Sequence, residues 1–182
     1  MKKIGNIGII GLGLIGSSLS LSLKKYTDIK TWGYDIKPDH LKYCKKNNII
    51  DKVLENQFIN KMDLIFIAVP VCSVKSVIAN ISPYLNSQTI VTDMGSTKHK
   101  IFKEINNNFP SINFVGGHPM AGKETSGPEA ADPDLFKNKT YILTKNNNSE
   151  DKSIDENINT LKSLLINLEC KVKILNSQTH DQ

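Results

Sequence analysis

A glycine-rich stretch near the start of the chain, residues 6–18, reads NIGIIGLGLIGSS. The apolar run at residues 7–10 predicts a buried strand, and the apolar residues that follow recur at helical spacing. The glycines between them form a G-x-G-x-x-G motif in the strand–turn–helix context that this motif requires. We expect Gly11 to permit the tight turn, Gly13 to let a pyrophosphate approach the backbone, and Gly16 to let the helix pack against the strand.

Two further segments are expected to border the same cleft. Leu14 and Ile15 begin the predicted helix, where free N–H groups and the positive end of the helix dipole favour phosphate. The apolar run at residues 62–69 predicts a strand that is buried on both faces of a parallel sheet. The run ends at Val69 and Pro70, which we expect to face a cofactor, because ligands of open α/β sheets bind beyond the carboxyl ends of the strands.

An acidic residue, Asp35, ends the next predicted strand, at residues 30–34. It follows Gly16 at close to the spacing of about 20 residues expected for the acid that binds an adenine ribose. A carboxylate there accepts hydrogen bonds from the 2′-hydroxyl and repels a 2′-phosphate, so we expect NAD. Lys37 partly offsets that repulsion, which leaves NADP as the weaker alternative. A third alternative is an ordinary strand–turn–helix unit with a solvent-facing aspartate.

Predicted strands alternate with predicted helices along the rest of the chain. This pattern indicates an α/β fold, a doubly wound, Rossmann-like and mostly parallel sheet with helices on both faces. The remaining strands are predicted at residues 53–54, 89–92, 112–115, 141–143 and 172–175. We also predict a polar turn at residues 146–151 and a capping box at Ser153 and Glu156. Residues 1–175 are expected to form one dinucleotide-binding domain.

The composition argues against several classes of partner. The net charge is +5, but the 23 basic residues are all lysines and are scattered, so no nucleic-acid partner is expected. No long apolar run is present, so no membrane partner is expected. Three widely spaced cysteines without a C-x-x-C motif suit reduced thiols in the cytoplasm. His40 and Cys44 lie four residues apart, but without a nearby third ligand we expect an ordinary helix surface and no metal site.

Two residues after later predicted strands are candidates for chemistry. His118 lies in a predicted loop between glycines, and a neutral imidazole can take a proton near physiological pH. Taking a hydroxyl proton while hydride leaves the same carbon is what an NAD-dependent alcohol oxidation requires. Ser96 could orient the substrate or that histidine. The structural alternatives are a buried histidine that is satisfied by backbone and, for Ser96, a helix N-cap.

Four segments resemble the prephenate and arogenate dehydrogenases of tyrosine biosynthesis. They are GLGLIGSS at residues 11–18, DMGSTK at 93–98, GHPMAGKETSG at 117–127, and His180 with Asp181. The resemblance covers the whole chain, and the histidine segment is its most specific part.

The resemblance implies an NAD-dependent oxidative decarboxylation of a small dicarboxylate. The substrate would be prephenate, giving 4-hydroxyphenylpyruvate, or arogenate, giving tyrosine. The matching histidine, His118, would bind the ring hydroxyl and act as base, and Ser96 would help to orient it near the nicotinamide. Glu124 matches a position that borders the active-site entrance.

The chain also departs from the family pattern. The family continues past the His-Asp pair into a helical domain that carries the dimer interface and cationic groups for the substrate. We expect this chain to lack that domain. Its 182 residues include no arginine to form a bidentate fork with a carboxylate. We expect residues 176–182 to begin the helical domain and the full-length enzyme to be a homodimer. The chain itself is expected to be the cofactor half, which binds NAD but turns over little substrate.

Two other functions remain open from the sequence. Another NAD-linked dehydrogenase, of the β-hydroxyacid or imine reductase type, would share the first two strands but is not expected to carry the segment at residues 117–122. A non-catalytic domain that senses NAD would need no second domain. The choice between prephenate and arogenate is also open.

Overall fold

The computed structural model describes residues 3–145 and 152–181. The predicted polar turn at residues 146–151 and the Ser153 side chain of the predicted capping box lie outside the described residues. The described residues form eight strands, β1 (Asn6–Ile10), β2 (Lys30–Tyr34), β3 (Lys52–Val53), β4 (Leu64–Ile67), β5 (Ile90–Asp93), β6 (Asn113–Pro119), β7 (Thr140–Lys145) and β8 (Lys171–Asn176). They also form six α-helices, α1 (Leu14–Tyr26), α2 (Pro38–Lys46), α3 (Val71–Ile81), α4 (His99–Asn108), α5 (Lys152–Asn167) and α6 (Ser177–His180).

The strands form one sheet in the order β3-β2-β1-β4-β5-β6-β7-β8. Every neighbouring pair is parallel except β6 and β7. The order reverses between β1 and β4, so the segments after these two strands flank a topological switch point, where open α/β sheets bind ligands. The predicted doubly wound, mostly parallel α/β fold is confirmed.

The antiparallel step at β7 follows from the connection before it. Residues 120–139 contain only a single 3₁₀ turn, Pro128–Ala130, and no crossover helix. A parallel step needs a crossover, whereas an antiparallel strand can begin at the end where its neighbour finished. The loop at residues 120–139 is fastened to α1 by hydrogen bonds of Ser18 with Asp132 and of Ser22 with Pro133.

Successive side chains of each strand point to opposite faces of the sheet and pack into two separate cores. Leu64 and Phe66 of β4 pack on the side of α1, α2 and α5, whereas Ile65 and Ile67 pack on the side of α3 and α4. This two-sided burial explains why β4 is an unbroken apolar run. The apolar residues that recur at helical spacing are buried in α4 (Ile101, Phe102, Ile105) and in α5 and the turn after it (Ile158, Leu161, Leu164, Leu165, Leu168).

The boundary that matters most for the site is the end of β6. The sequence predicts a strand that stops at residue 115 and a loop around His118, but β6 continues to Pro119. The reason is that β7 extends the ladder, pairing Ile142 with His118 and Tyr141 with Pro119. His118 therefore lies in a strand and not in a loop. No helix among the described residues combines the length and the apolar character needed to cross a bilayer.

Candidate active site

The glycine turn is set by steric limits on two of its residues. Gly11 has a φ of 98°, in the left-handed region that favours glycine, and a Cβ there would clash with the carbonyl of Ala68. A Cβ on Gly16 would clash with the carbonyl oxygen of Gly11. The first glycine therefore makes the turn and the third allows close packing of α1, as the motif predicts.

Gly13 faces open space, which sets it apart from these two glycines. A Cβ built on it would meet nothing within 4 Å. It is the N-cap of α1, it supplies no side-chain cap, and the first turn of the helix holds no acidic residue. Helix geometry leaves the N–H groups of Leu14, Ile15 and Gly16 without acceptors inside α1. The turn thus presents a bare backbone surface with donors, which fits a diphosphate.

Asp35 lies directly beyond β2 and braces the glycine turn. One carboxylate oxygen accepts a hydrogen bond of 2.6 Å from the N–H of Leu12 and lies 3.2 Å from Nδ1 of His40. The other oxygen accepts a hydrogen bond of 2.8 Å from the N–H of Lys37. The Asp35 side chain is only 9% exposed, so it is not an ordinary solvent-facing aspartate.

The prediction that His40 and Cys44 lie on an ordinary helix surface is wrong for Cys44. Cys44 is fully buried, with its Sγ 3.3 Å from Oγ of Ser17, because α2 packs this side chain against α1. Burial raises the pKa of the Cys44 thiol. His40 instead turns towards Asp35. In the part of the chain that the structure describes, no group of three His, Cys, Asp or Glu side chains could hold a metal ion.

A cleft of about 560 Å³ lies at the switch point. Its wall includes, from the predicted cofactor residues, Gly11, Gly13, Asp35, Val69 and Pro70. The structure therefore brings these five residues together from the ends of three strands. His118 and Ser96 are not part of this wall. His118 lies near the end of β6 and Ser96 follows β5, and both strands lie on the β4 side of the cleft.

His118 is held by a chain of side chains at the end of the sheet. Its Nδ1 lies 2.9 Å from Nε2 of His180, and Nδ1 of His180 lies 2.7 Å from a carboxylate oxygen of Asp181. The two imidazole rings meet edge to face, with centroids 5.0 Å apart. No hydrogen bond to Nε2 of His118 occurs within residues 3–145 and 152–181, so this nitrogen has no partner in the described part of the chain.

The surroundings of His118 keep it neutral. Burial lowers the pKa of His118 below its ordinary value, and the charges of His180 and Lys98 lower it further, against the opposing effect of Asp181. A neutral imidazole near physiological pH is the state in which a histidine can accept a proton.

A buried ion pair lies beneath this histidine. Nζ of Lys98 donates a hydrogen bond of 2.5 Å to Asp93, and both side chains are fully buried. Burial lowers the pKa of Lys98 and raises the pKa of Asp93, while their mutual attraction opposes both shifts. Asp93 also accepts hydrogen bonds from the N–H groups of Gly95 and Gly117. The pair therefore links the end of β5 to β6 directly before His118.

Ser96 and Glu124 are both exposed. Ser96 makes no hydrogen bond with His118 within the described part of the chain. Nor is it the N-cap of α4: that position is Lys98, and the carboxylate of Asp181 accepts the hydrogen bonds of the first N–H groups. Glu124 lies in the loop at residues 120–139, and its role at a site entrance stays a prediction.

Sequence reasoning missed the arrangement of four side chains at this site, Asp93, Lys98, His180 and Asp181. The Asp93–Lys98 pair lies inside a segment singled out for its resemblance, but nothing in the spacing indicates that both charges are buried. The contact of His180 with His118 joins residues 62 positions apart. Only the resemblance drew attention to His180 and Asp181, and it assigned them no role.

The comparisons with known proteins agree with this geometry. The family model described as prephenate dehydrogenase, nucleotide-binding domain, matches residues 19–174. A prephenate dehydrogenase of Lactococcus lactis subsp. cremoris is 37% identical over 187 residues, which cover 100% of this chain and 49% of that protein. The chain thus spans about half the length of this curated relative.

Two solved structures superpose closely on the chain. A prephenate dehydrogenase of Aquifex aeolicus, in complex with hydroxyphenyl propionate and NAD⁺, gives a TM-score of 0.87 at 27% identity, covering 99% of this chain and 63% of that one. An arogenate dehydrogenase of Synechocystis gives a TM-score of 0.87 at 28% identity, covering 97% of this chain and 61% of that one.

Proposed function

Because the chain belongs to the prephenate dehydrogenase family, as its nucleotide-binding domain, we propose that it binds NAD and supplies the catalytic base for oxidative decarboxylation of prephenate. The observation that carries the proposal is the arrangement at one edge of the sheet. A bare glycine turn and Asp35 border the cleft at the switch point, and the neutral His118 lies two strands beyond β4. This arrangement supports the proposal of a cofactor site and a base on the same edge of the sheet.

The residues of the cleft fit NAD by their chemistry. The N–H groups at the start of α1 suit the diphosphate, and the open face of Gly13 leaves room for it. The Asp35 carboxylate suits the adenine ribose hydroxyls and disfavours a 2′-phosphate. NAD, when bound there, supplies the hydride acceptor. Val69 and Pro70 form the wall of the cleft after β4.

The proposed reaction assigns His118 one proton. Its Nε2 takes the proton of the ring hydroxyl as hydride leaves the same carbon, which becomes a carbonyl carbon. Carbon dioxide then leaves the ring, and its bonding electron pair moves through the ring to the carbonyl oxygen. This oxygen takes the proton back from His118, and the product is the aromatic 4-hydroxyphenylpyruvate. The substrate therefore loses carbon dioxide and hydride, and His118 holds the proton only between the two steps. Ser96 is proposed to orient the substrate, and Glu124 to border the entrance.

Arogenate is a second candidate substrate. The similarity to the arogenate dehydrogenase of Synechocystis favours it as much as the similarity to the Aquifex enzyme favours prephenate. The two substrates carry the same ring alcohol and differ in the side chain. The same His118 chemistry would serve both of them.

We also make a proposal about the domain organisation, oligomeric state and location of the complete enzyme. We propose that residues 1–175 form the cofactor domain and that residues 176–182 begin a helical domain of a homodimeric, cytoplasmic enzyme. The α6 helix directly after β8 supports that division. The unpaired state of all three cysteines suits a reducing compartment. The scattered lysines argue for a small-molecule substrate and against nucleic acid.

Calorimetric titration and a product assay test the proposal. NAD added to this chain should give saturable binding that is stronger than that of NADP. The complete protein should convert prephenate and NAD into NADH, carbon dioxide and 4-hydroxyphenylpyruvate, whereas this chain alone should turn over feebly. Failure of NAD to bind would overturn the cofactor proposal, and full activity of this chain alone would overturn the proposed division of labour.

The same assay separates the two rival functions. A β-hydroxyacid or imine reductase would reduce or oxidise its own substrates and leave prephenate and arogenate unchanged. A regulatory domain that senses NAD would bind the cofactor, yet the complete protein would release no carbon dioxide from either substrate.

A further inference from the structure

Three consecutive side-chain contacts run from the proposed base to the start of α4. They join Nδ1 of His118 to Nε2 of His180 at 2.9 Å, and Nδ1 of His180 to Asp181 at 2.7 Å. Asp181 in turn accepts hydrogen bonds of 2.8 Å from the N–H of Lys98 and 2.8 Å from the N–H of His99. The His180 side chain is only 3% exposed and that of Asp181 is 25% exposed, so the imidazole of His180 is largely shielded from water.

Asp181 fixes the direction of the hydrogen bonds. Burial raises its pKa, but hydrogen bonds from His180 and from the N–H groups of His99 and Lys98 outweigh that effect, so the net pKa is lowered. The carboxylate is therefore ionised near neutral pH and can only accept hydrogen bonds. Nδ1 of His180 must then carry a proton and donate it towards Asp181.

The tautomer of His118 follows when the His180 and His118 rings each carry one proton. With its proton on Nδ1, a neutral His180 presents a lone pair at Nε2. That lone pair can accept a hydrogen bond only if Nδ1 of His118 carries the proton. A neutral His118 with its proton on Nδ1 has its own lone pair on Nε2, the nitrogen that has no partner in the described part of the chain.

From this geometry we propose that His180 and Asp181 are positioning residues, which hold His118 in the tautomer whose Nε2 can accept a proton. The inference rests on the proposed function, since it assumes that His118 is the base. It adds a residue, His180, that acts through His118 and not on the substrate. The arrangement follows the general rule that the partner of one imidazole nitrogen determines what the other nitrogen can do.

Several other charged groups face this chain of contacts. Lys98 lies before α4 and its charge acts on His118. Asp93, at the end of β5, binds Lys98 and accepts a hydrogen bond from Gly117, next to His118. Tyr141 of β7 pairs with Pro119, and burial raises its pKa well above the ordinary value, so it stays uncharged. His180 contributes positive charge only when it is doubly protonated.

Nitrogen-15 NMR of the histidine side chains of this chain tests the proposal without any turnover. The chain has four histidines, which makes assignment by single substitution practical. At a pH where His118 is neutral, we expect the protonated nitrogen of His118 to be Nδ1 and the unprotonated one to be Nε2. His99, with an exposed side chain, serves as the internal reference for a histidine without this constraint.

One substitution tests each of the two positioning residues. His180→Leu removes the acceptor, so His118 should lose its preference for the Nδ1 proton and approach the tautomer mixture of His99. Asp181→Asn keeps an oxygen that can accept from His180 and can cap α4, so the tautomer should persist. Without the carboxylate charge, which raises the pKa of His118, the titration midpoint of His118 should shift to lower pH.

The complete protein gives a second readout. His180→Leu should lower kcat for prephenate by about 10- to 100-fold, as substitution of partners that orient a functional imidazole does, with little change in NAD affinity. A wild-type His118 with its proton on Nε2, or a His180→Leu variant with an unchanged tautomer, would overturn the positioning role. A correct tautomer in a protein that does not oxidise prephenate would instead refute the proposed function.

Discussion

At the scale of single residues, the site depends on groups that do two things at once. Asp35 braces the glycine turn through the N–H of Leu12 and also presents a carboxylate to the cleft. Asp181 caps α4 and also fixes His180. The spacing of Asp35 from the glycines indicated that its carboxylate faces the cleft. Its hydrogen bond to the glycine turn could not be predicted, because it depends on how closely the end of β2 approaches the turn. Such approach distances are properties of the folded chain and not of any local pattern.

Replacing Asp35 by Asn should change the cofactor preference. The substitution removes the negative charge that disfavours a 2′-phosphate and weakens the hydrogen bonds to the ribose. Loss of a charged hydrogen bond costs about 1.5–3 kcal/mol, so we expect the Kd for NAD to rise by about 10- to 100-fold while the ratio of NADP to NAD affinity increases. Calorimetric titration with both cofactors measures the two constants.

Asp39→Asn is the matched control for this change. Asp39 is exposed in the first turn of α2, so removing its charge should leave the NAD affinity within about a factor of two. If Asp35→Asn kept the wild-type preference between the two cofactors, Asp35 would not be the ribose ligand.

At the scale of elements, the sequence predicted what periodicity can encode. Residues 30–34 form β2 as predicted, and the buried faces of α4 and α5 are those that the apolar spacing indicates. The end of β6 could not be predicted in the same way, because His118 is held in the strand by pairing with β7, which lies more than twenty residues further along the chain. Strand ends depend on partners that local sequence does not specify.

The glycine turn allows a matched pair of substitutions within one motif. Gly16→Ala places a Cβ against the carbonyl of Gly11, and overpacking of this kind costs about 1–3 kcal/mol. Gly13→Ala places a Cβ in open space at an extended φ of −74°, so the fold should keep its stability while NAD binding weakens. Urea denaturation and NAD titration separate the two effects. Equal stability of both variants would contradict the role given to Gly16.

The buried ion pair between β5 and α4 should be costly to break from one side. Lys98→Met leaves the Asp93 carboxylate buried without its partner, and such changes destabilise by about 3–5 kcal/mol. Chemical denaturation measures the loss. Lys100→Met, at an exposed position of α4, is the control and should change stability by less than about 0.5 kcal/mol. A loss of under about 1 kcal/mol for Lys98→Met would show that Asp93 is not held by this pair.

At the scale of the whole molecule, one topological feature organises the rest. The order of the strands reverses between β1 and β4, so the glycine turn, Asp35 and the segment after β4 meet in one cleft, with β5 and β6 following on one side. The alternation of strands and helices was sufficient to predict this architecture. It was not sufficient to predict the contacts from His118 to Asp181. These contacts exist only because β8 and α6 bring His180 back to His118 in the folded chain.

The stability of the chain should fall on mild acidification. Burial holds the pKa of folded His118 below its ordinary value. Between that lowered pKa and the unfolded value near 6.5, the unfolded chain binds a proton that the folded chain does not, so the free energy of unfolding decreases as the pH falls through this window. Urea denaturation at a series of pH values measures the slope.

Two variants separate this contribution from that of other groups. His118→Asn removes the titrating imidazole, so the slope in this window should become smaller. His99→Asn, at an exposed position, should keep the wild-type slope. An unchanged slope in His118→Asn would mean that burial does not disfavour the charged form of His118.

The role of His118 as the base is tested most sharply by the complete protein with His118 replaced by Asn, in which the turnover of prephenate and the NAD affinity are both measured. We predict that kcat falls by about 10²- to 10⁴-fold, the contribution typical of a general base, while the Kd for NAD stays within about threefold of wild type. His99→Asn should retain wild-type turnover. A His118→Asn enzyme that keeps kcat within about threefold of wild type would contradict the assignment of His118 as the base.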